Sequence, residues 1–463
     1  MNKNPYKDRQ YVVDVDRKYS WHPFTQMKDY ENVDPVVITH AKGIKLYDAD
    51  GNEYYDTISS WWTSVIGHCD ERINAAIIKQ LSLIEHVNFS GFTHPYAAEV
   101  FENMRSILPD IYTRFFFSDD GSTAIEVALK MAFQYWQNIG KKDKTKFVMF
   151  NNAYHGDTMG ATSVGGVDIY HKIYKPMMFD SYIVPAPYEH PRKSEFTYDA
   201  RNEDFDPASL EQMRKVMEEH ADEIAAVIVE PLIQGASGMR IYHPQYLTEL
   251  KKLAEKNDIL VICDEVATGF GRTGTMFAFE QAADFTPDIV AVAKGLTGGY
   301  MPMAITLTNE KIFMAFYGDF MSTFFHGHSY TANPLACAAA NATIKILKEE
   351  NLPKSNSVAM EYFHERLREL KEYDFVGDIR FLGFYGAIDI VKSRAEKELF
   401  SAETRIGLKI YRNSLKNGLV LRAIGEVIYW CLPLNVTIEE IDIIIDRSIK
   451  VIKETICQVS TKN

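Results

Sequence analysis

A lysine that follows directly on a run of apolar residues is the side chain in this sequence best suited to covalent chemistry. Lys294 ends the segment PDIVAVAK and leads into a glycine-rich turn, GLTGG. Lysine is rarely buried unless it is paired or chemically employed, and a desolvated lysine becomes a nucleophile that can form a Schiff base with a carbonyl compound. A surface lysine at a strand end is the alternative, which the preceding apolar residues disfavour.

A carboxylate occupies the corresponding place in a second apolar run. The segment ILVICDEVATGFGRTG, 259–274, carries Asp264 and Glu265 just before its glycine-rich turn. Charge at the carboxyl end of a buried strand falls in the crevice where α/β proteins bind ligands. Because a buried carboxylate without a partner is costly, a cationic atom of a ligand would suit Asp264. An acid that simply meets solvent or caps a helix explains this segment equally well when it is taken alone.

Two further segments have features of a cofactor site. In FFFSDDGSTAIEVALKMAFQYW, 115–136, a strand breaks before Gly121 and Ser122, and an amphipathic helix follows. The free N–H groups of a helix N-terminus attract anions such as phosphate, although an ordinary N-cap by Asp120 or Ser122 explains the same pattern. In NNAYHGDT, Tyr154 is placed either to stack on a planar ligand or to pack in a turn.

The elements that must position these residues follow the rhythm of an α/β protein. Continuous apolar runs predict strands buried on both faces of a mainly parallel sheet, at 113–117, 146–150, 225–230, 259–264 and 288–293. Amphipathic runs predict helices at 122–138, 207–220, 244–257 and 333–349. Towards the C-terminus, helices are expected near 355–371, 401–416 and 437–456, with short strands at 384–390 and 418–430. We expect a large domain over 66–350 and a smaller α+β domain over 351–463, completed by an N-terminal segment, 1–65.

The composition limits the class of protein. The chain has 463 residues, 46% of them hydrophobic and 24% charged, as in an ordinary globular enzyme. Its formal net charge of −13 argues against general nucleic-acid binding, which needs a basic face. No apolar run approaches the roughly 18 residues that span a bilayer, and the polar N-terminus lacks the apolar core of a signal peptide, so the cytoplasm is expected. The 5 cysteines show no CxxC spacing, which predicts neither a disulfide framework nor a metal site.

A nucleotide-binding motif provides a rival hypothesis. GFGRTG at 269–274 matches the G-x-G-x-x-G fingerprint of NAD-binding Rossmann domains, and Asp288 lies at about the expected distance downstream. An NAD-dependent dehydrogenase fits poorly, because the glycines should open an amphipathic helix and Pro287 follows after barely two turns. The acid should also end the second strand of the motif, whereas Asp288 begins a strand.

Taken together, DEVATGFGRTG and PDIVAVAKGLTGGYMP at this spacing resemble the class III (ω-amino acid) aminotransferases of pyridoxal 5′-phosphate (PLP) fold type I. The resemblance extends from about residue 20 to residue 455. It implies that Lys294 forms the Schiff base with PLP and that Asp264 pairs with the pyridine nitrogen. The other roles that it implies are phosphate binding, ring stacking and support of the site, which fall to Gly121 and Ser122, Tyr154 and Glu230, respectively.

The resemblance also implies a homodimer, because the active sites of this family are shared between two subunits. The segment HGHSYTANPLACAAA, 326–340, resembles the part of the family that reaches the phosphate of the neighbouring subunit. Its hydroxyl would come from Ser329, where the family usually has threonine.

Four short segments resemble one branch of the family more closely: WHPFTQM, SSWW, YHGDT and FHGHSYTANP. That branch converts 8-amino-7-oxononanoate to 7,8-diaminononanoate in biotin biosynthesis, usually with S-adenosylmethionine as amino donor. An apolar substrate chain needs an aromatic wall, which Phe24, Trp61 and Trp62 can supply, although core packing is the alternative for the tryptophans. The substrate's carboxylate needs an arginine. Arg422 matches the family's carboxylate-binding position, and Arg272 is the second candidate.

Three further positions depart from the family pattern. Asp120 replaces the usual serine before the phosphate-loop glycine and brings a negative charge towards the expected phosphate, and Ala423 stands where the family often has proline. Phe24 lacks the hydroxyl that users of S-adenosylmethionine often carry, and lysine-using relatives also have phenylalanine there. The majority of the family favours S-adenosylmethionine, and L-lysine stays open as donor. A broader ω-amino acid or amine:pyruvate transaminase is the remaining alternative.

Overall fold

The structure, a computed structural model, describes residues 8–189, the backbone of 197–198, and residues 205–396 and 398–460. The strands, numbered along the chain, are β1 (Ile38–Lys42), β2 (Lys45–Asp48), β3 (Glu53–Tyr55), β4 (Tyr112–Ser118), β5 (Lys146–Phe150), β6 (Tyr182–Val184), β7 (Thr197–Tyr198), β8 (Ile224–Val229), β9 (Ile233–Gln234), β10 (Arg240–Ile241), β11 (Leu260–Asp264), β12 (Ile289–Val292), β13 (Ala304–Asn309), β14 (Val376–Leu382), β15 (Tyr385–Ile390), β16 (Ala423–Ile424) and β17 (Val427–Cys431).

The α-helices cover both faces of the main sheet and much of the C-terminal part. Their bounds are Arg9–Tyr19, Met27–Tyr30, Glu71–Leu81, Pro95–Arg105, Gly121–Asn138, Met159–Ser163, Asp168–His171, Glu211–Glu219, Gln245–Lys256, Glu310–Ala315, Pro334–Glu349, Ser357–Glu369, Ile406–Leu415 and Ile438–Ser460. Within the described ranges, none of these helices is both long enough and apolar enough to cross a membrane.

A seven-stranded sheet with the order β4-β13-β12-β11-β8-β5-β6 forms the centre of the fold. Neighbouring strands are parallel except that β13 runs antiparallel to both β12 and β4. Successive side chains of the central strands enter two separate apolar clusters, because side chains alternate across a sheet. In β11, for example, Val261 and Cys263 face one cluster, and Leu260 and Ile262 face the other. The predicted mainly parallel sheet with two buried faces is therefore confirmed.

The five predicted strands of this sheet are present with small shifts at their ends, whereas β6 and β13 were not predicted. The sequence of β13, AITLTN, follows the turn after Lys294 without an intervening α-helix, so the strand returns antiparallel. The predicted helix 207–220 begins instead as a 3₁₀ turn, Pro207–Leu210, and becomes α-helical at Glu211. The other three helices predicted for this region are present within two residues.

A second sheet with the order β16-β17-β15-β14-β7 joins four strands of the C-terminal part to β7, which lies within the range predicted for the large domain and pairs in parallel with β14. The predicted strand 384–390 is β15, whereas the predicted strand 418–430 is interrupted and yields only β16 and the longer β17. β14 was missed. The three predicted helices of this part are present, and the one expected over 401–416 begins later, at Ile406.

The N-terminal strands contact this C-terminal part through the main chain. The N–H of Tyr55 donates to the carbonyl of Gly418 at 2.9 Å, and the N–H of Val420 donates to the carbonyl of Tyr55 at 2.9 Å. These bonds support our proposal that 1–65 and 351–463 form one small domain beside the large domain 66–350. Residues 1–7 and 461–463 of that division lie outside the described residues. The domain boundaries themselves stay a prediction.

Residues Ser59–Trp62 form a single turn of left-handed helix. Their φ angles are +47°, +45°, +68° and +73° along the chain. The N–H of Trp62 donates to the carbonyl of Ile58 at 2.8 Å, and the N–H of Thr63 donates to that of Ser59 at 2.9 Å. Left-handed backbone costs about 1–2 kcal/mol per residue that carries a Cβ. Four such residues in succession, none of them glycine, therefore require support from their surroundings.

Candidate active site

A cavity of about 670 Å³ lies at the carboxyl ends of the parallel strands. It is lined by the residues that directly follow or end these strands, which is where open α/β sheets bind their ligands. Six predicted site residues that the sequence separates widely line this one cavity: Gly121, Ser122, Tyr154, Glu230, Asp264 and Lys294. Trp62 and Asp120 also line it.

Asp264 ends β11 and is buried, and each carboxylate oxygen has a protein partner. Oδ1 accepts the N–H of Val266 at 3.0 Å, and Oδ2 lies 2.7 Å from Nδ1 of His155. An ionised carboxylate can only accept, so Nδ1 of His155 carries the hydrogen. Nε2 of the same ring is buried and has no partner among the described residues. Asp264 is thereby oriented rigidly towards the cavity.

Lys294 follows β12 and lines the cavity with its amine. The residue has a φ of +39°, which lies in the left-handed region. Burial lowers the pKa of the amine, while Asp264 and Glu230 oppose that effect through their negative charges. A larger fraction of the amine is therefore neutral and nucleophilic than in an exposed lysine. Its Nζ lies 5.1 Å from the ring centroid of Trp62.

The helix Gly121–Asn138 points its N-terminus at the cavity. The carboxylate of Asp120 accepts the N–H of Thr123 at 3.0 Å, and the carbonyl of Asp120 accepts the N–H of Ala124 at 3.0 Å. This leaves the N–H groups of Gly121 and Ser122 as the ones available for an anion. The N-cap by Asp120 is therefore confirmed, and the first turn faces the cavity, where the phosphate site stays a prediction.

Two glycines permit the close packing around this N-terminus. A Cβ on Gly121 would lie 2.3 Å from Cγ1 of Val266, and a Cβ on Gly156 would lie 2.3 Å from Oγ of Ser122. Gly156 also has a φ of +122°, which disfavours other residues. Oγ of Ser122 in turn accepts the N–H of Thr158 at 3.0 Å and so joins the helix to the loop that carries Tyr154.

Glu230 supports this loop from beneath. Its carboxylate oxygens accept the N–H of Tyr154 at 3.1 Å and the N–H of Gly235 at 3.0 Å. Burial raises the pKa of Glu230 to about 7, and the nearby His155 opposes the shift. The hydroxyl of Tyr154 donates to Asp157 at 2.9 Å, which fixes the ring at the cavity wall.

An aromatic row leads from the cavity towards Arg422. The guanidinium carbon of Arg422 lies 4.1 Å from the ring centroid of Trp61. The ring of Phe24 makes edge contacts with Trp61 at 5.6 Å and with Tyr170 at 5.3 Å. Tyr170 also contacts Tyr154 at 6.0 Å, so the row is continuous with the cavity lining. The predicted aromatic wall and its arginine therefore lie together.

Two predicted site residues lie elsewhere. Arg272 is buried beneath the left-handed turn, where its Nη1 donates to Ser59 at 3.2 Å and to the carbonyl of Leu432 at 2.7 Å, and it is not among the residues that line the cavity. Its role as a second carboxylate ligand has no direct support from this position. Ser329 is exposed in a turn and also lies outside the cavity lining.

Sequence reasoning missed several residues of this site. His155 was noted only as a neighbour of Tyr154, yet it holds Asp264. The signal was a polar residue in the turn YHGDT, but its partner lies 109 positions away. Tyr170 and Val266 were missed because single aromatic and aliphatic residues have no distinctive pattern.

These residues fit PLP. The cavity combines an amine of lowered pKa at Lys294, a buried carboxylate at Asp264, a helix N-terminus with two available N–H groups, and an aromatic ring at Tyr154. Gly121 and Ser122 both line the cavity, so the helix N-terminus lies at its wall, where an anion such as phosphate is favoured.

Comparisons with known proteins agree with this geometry. The family model for class III aminotransferases matches residues 26–452. The chain is 41% identical over 449 residues to the adenosylmethionine-8-amino-7-oxononanoate aminotransferase of Geobacter sulfurreducens, covering 96% of this chain and 97% of the relative. It is 44% identical over 447 residues to the enzyme of the same name from Anoxybacillus flavithermus, covering 96% of each.

Two solved structures are similar over almost the whole chain. The adenosylmethionine-8-amino-7-oxononanoate aminotransferase of Methanocaldococcus jannaschii superimposes with a TM-score of 0.90 and 38% identity, covering 96% of this chain and 99% of the other. The omega transaminase of Pseudomonas jessenii in complex with PMP gives a TM-score of 0.90 at 27% identity, covering 97% of this chain and 99% of the other.

Proposed function

The chain belongs to the class III aminotransferases, and from that premise we propose that this PLP-dependent transaminase converts 8-amino-7-oxononanoate to 7,8-diaminononanoate in biotin biosynthesis, with S-adenosylmethionine as amino donor. The observation that carries the proposal is the placement of the amine of Lys294 and the guanidinium of Arg422 in the site. Lys294 lies beside Trp62, and Arg422 lies over the ring of the adjacent Trp61, so the amine and the guanidinium flank a pair of tryptophans, which suits an apolar substrate with a reacting carbonyl and a distant carboxylate.

The chain's own groups supply the proton transfer and the charge that the reaction needs. When bound, PLP supplies an electron sink for the carbon that loses a proton. The amine of Lys294 is the group that takes and returns this proton, because burial lowers its pKa and so increases the neutral fraction that can accept a proton. Asp264, held by His155, places a negative charge where the ring nitrogen must stay protonated. Gly121 and Ser122 bind the phosphate, and Tyr154 stacks on the ring.

Substrate recognition follows from the outer part of the site. Trp61, Trp62 and Phe24 form the wall along the apolar chain, and Arg422 binds the terminal carboxylate. A guanidinium stacked on a tryptophan ring is held in one plane, which favours a bidentate grip on a carboxylate.

A half-reaction experiment can identify the amino donor directly. The PLP form would be mixed with S-adenosylmethionine or with L-lysine while the visible absorbance of the bound cofactor is followed, and then challenged with 8-amino-7-oxononanoate. Bleaching by S-adenosylmethionine and recovery with the keto acid is the expected result. Bleaching by L-lysine but not by S-adenosylmethionine would show that lysine is the amino donor. Rapid recovery with pyruvate but not with the keto acid would show a broader amine transaminase and contradict the proposed function.

A specific observation keeps lysine as the second candidate donor. Phe24 presents only an apolar ring to Trp61 and Tyr170, so this position offers no hydroxyl to a polar donor.

We further propose a homodimer with shared sites, in the cytoplasm. The segment around Ser329 exposes several large apolar side chains, more than monomers usually leave in water, namely Met314, Tyr317, Phe320, Met321, Phe325 and Tyr330. The 5 cysteines are free thiols, as suits a reducing compartment.

Mixing two inactive variants tests the shared site. Lys294→Ala and Ser329→Asp each lose activity alone, because the added carboxylate repels the phosphate. In a mixed dimer with sites shared through Ser329, one site carries both changes and the other carries neither. Activity should therefore return on mixing after subunit exchange, and its failure to return despite exchange would contradict the sharing.

A further inference from the structure

The left-handed turn Ser59–Trp62 delivers two consecutive tryptophans to the site. Trp62 lies beside the amine of Lys294 and makes an edge contact with Tyr429 at 6.0 Å. Trp61 stacks with Arg422 and touches Phe24. The wall of the site therefore depends on a backbone conformation that L-residues resist.

A buried carboxylate joins the two ends of this segment. Asp56 is 1% exposed, and its Oδ2 accepts the hydroxyl of Ser60 at 2.7 Å and lies 2.8 Å from Nε2 of His68. Its Oδ1 accepts the N–H of Ile58 at 3.4 Å. Nδ1 of His68 lies 3.3 Å from the hydroxyl of Ser64, just beyond the turn. The pair thus spans the turn from the residue before it to the loop after it.

The Asp56 carboxylate keeps its charge in this place. Burial disfavours ionisation, but the hydrogen bonds from His68 and Ser60 outweigh it and hold the pKa of Asp56 below its usual range. A charged acceptor forms stronger hydrogen bonds than a neutral one, so it is suited to hold backbone under strain.

The turn is also tied to the loop that follows Lys294. A Cβ on Gly299 would lie 3.1 Å from the carbonyl carbon of Thr63 and 3.2 Å from the nitrogen of Ser64. Ser59 donates to the carbonyl of Cys431 at 2.7 Å. A shift of the turn would therefore displace the tryptophans relative to the lysine.

We propose that Asp56, clamped by His68, is a positioning residue that holds the left-handed turn and thereby shapes the substrate wall of Trp61 and Trp62. This proposal rests on the proposed function. It assigns to a side chain outside the cavity lining an effect on substrate affinity that acts through the turn.

The first test separates binding from chemistry. Asp56→Asn should raise KM for 8-amino-7-oxononanoate at least tenfold and change kcat less than threefold, because the wall moves while Lys294 and Asp264 stay. A variant that merely folds less well would lower kcat at constant KM, which would overturn the proposal. Asp48→Asn is the matched control, since Asp48 is also buried and accepts from Tyr54 and Asn52, each at 2.8 Å, in the β2–β3 turn. It should leave both constants unchanged.

A glycine rescue tests the backbone directly. Ser60→Gly removes the penalty for positive φ at its position, so the double variant Asp56→Asn/Ser60→Gly should recover KM by at least threefold. Ser64→Gly lies outside the left-handed turn and should give no recovery in the same background. Equal recovery by both glycines, or recovery by neither, would overturn the proposal.

Two further measurements keep the outcomes distinct. If Asp56→Asn is insoluble, His68→Asn should raise KM in the same direction, and an unchanged KM in that soluble variant would count against the clamp. Near-ultraviolet circular dichroism of the holoenzyme reports the tryptophan environment without any substrate and should change in Asp56→Asn but not in Asp48→Asn. Wild-type turnover of 8-amino-7-oxononanoate tests the proposed function separately.

Discussion

Nδ1 of His155 lies 2.7 Å from Oδ2 of Asp264, and both side chains are buried. The second carboxylate oxygen is taken by the N–H of Val266. His155 and the N–H of Val266 together fix the orientation of the Asp264 carboxylate. The carboxylate and its histidine therefore form one hydrogen-bonded unit at the cavity wall.

Replacing His155 by phenylalanine should slow transamination by roughly tenfold to hundredfold, because it removes one of the two hydrogen bonds that orient the Asp264 carboxylate and a small misplacement at a reacting site costs about that much. Single-turnover rates and the visible spectrum of the bound cofactor check the cause. His364→Phe is the control, because His364 is also buried and donates to the carbonyl of Gly383 at 2.7 Å. Equal losses in both variants would mean that only stability had changed.

Lys294→Ala should retain PLP through the phosphate and ring contacts but lose transfer by about a thousandfold or more, the range of a general acid–base group. Cofactor content and single-turnover rates are the measurements. Lys251→Ala, which removes a buried lysine paired with Asp288 at 3.0 Å, should keep its rate. Normal turnover in Lys294→Ala would overturn the assignment of the site.

Arg422→Ala should raise KM for the keto acid about tenfold to hundredfold and spare the donor half-reaction if the donor's carboxylate is bound elsewhere. Arg422→Lys keeps the charge but loses the planar fork, so its KM should fall between those of the wild type and the alanine variant. Steady-state and half-reaction kinetics distinguish the two steps. An unchanged KM in Arg422→Ala would place the carboxylate elsewhere.

Asp120→Ser should tighten PLP binding by roughly fivefold, because it removes a negative charge beside the phosphate while serine still caps the helix. The dissociation constant is measured by fluorescence at low and high ionic strength. The gain should shrink in salt, since screening weakens the repulsion. A gain that is independent of salt would point to packing instead of charge.

The raised pKa of Glu230 should make the free energy of unfolding depend on pH. Burial raises its pKa to about 7, so the stabilisation by the protonated form is complete below the unfolded value near 4.5 and is lost as the pH rises towards 7. The free energy of unfolding of the holoenzyme should therefore fall relative to that of Glu230→Gln over this range, by up to about 3 kcal/mol.

Glu265→Gln is the control for that experiment. Burial raises the pKa of Glu265 to about 7 as well, and its carboxylate accepts from Thr268 at 2.5 Å and from the N–H of Phe279 at 2.8 Å. It should show the same pH trend with activity retained. A relative stability that is flat in pH for both variants would mean that the carboxyls titrate normally.

The sequence predicted the inner site well for a physical reason. Lys294 and Asp264 each follow a continuous apolar run, and the carboxyl ends of parallel strands meet at one edge of the sheet, so their proximity follows from the strand pattern alone. The pairing of His155 with Asp264 does not follow, because no local pattern specifies which distant acid a turn histidine meets.

The outer site was predicted only in part. Phe24, Trp61, Trp62 and Arg422 lie together as expected, but the left-handed turn that presents the tryptophans has no signature, since SSWW contains no glycine. Arg272, the second candidate for the carboxylate, lies beneath the turn and contacts Ser59, and its role at the substrate stays a prediction. A buried arginine and one that binds substrate have the same appearance in a sequence.

The hydrogen bonds between Tyr55 and residues 418–420 can form only late in protein synthesis. The hydroxyl of Thr57 donates to the carbonyl of Val420, 363 positions later. At roughly 5–20 residues per second, a ribosome needs about 20 to 70 s to deliver the second partner after the first. The tryptophan turn lies directly after Thr57, so during that interval it lacks part of the framework that holds it. We expect nascent chains to depend on chaperones until release, and a ribosome-bound fragment that stops before residue 418 should leave residues 59–62 open to protease.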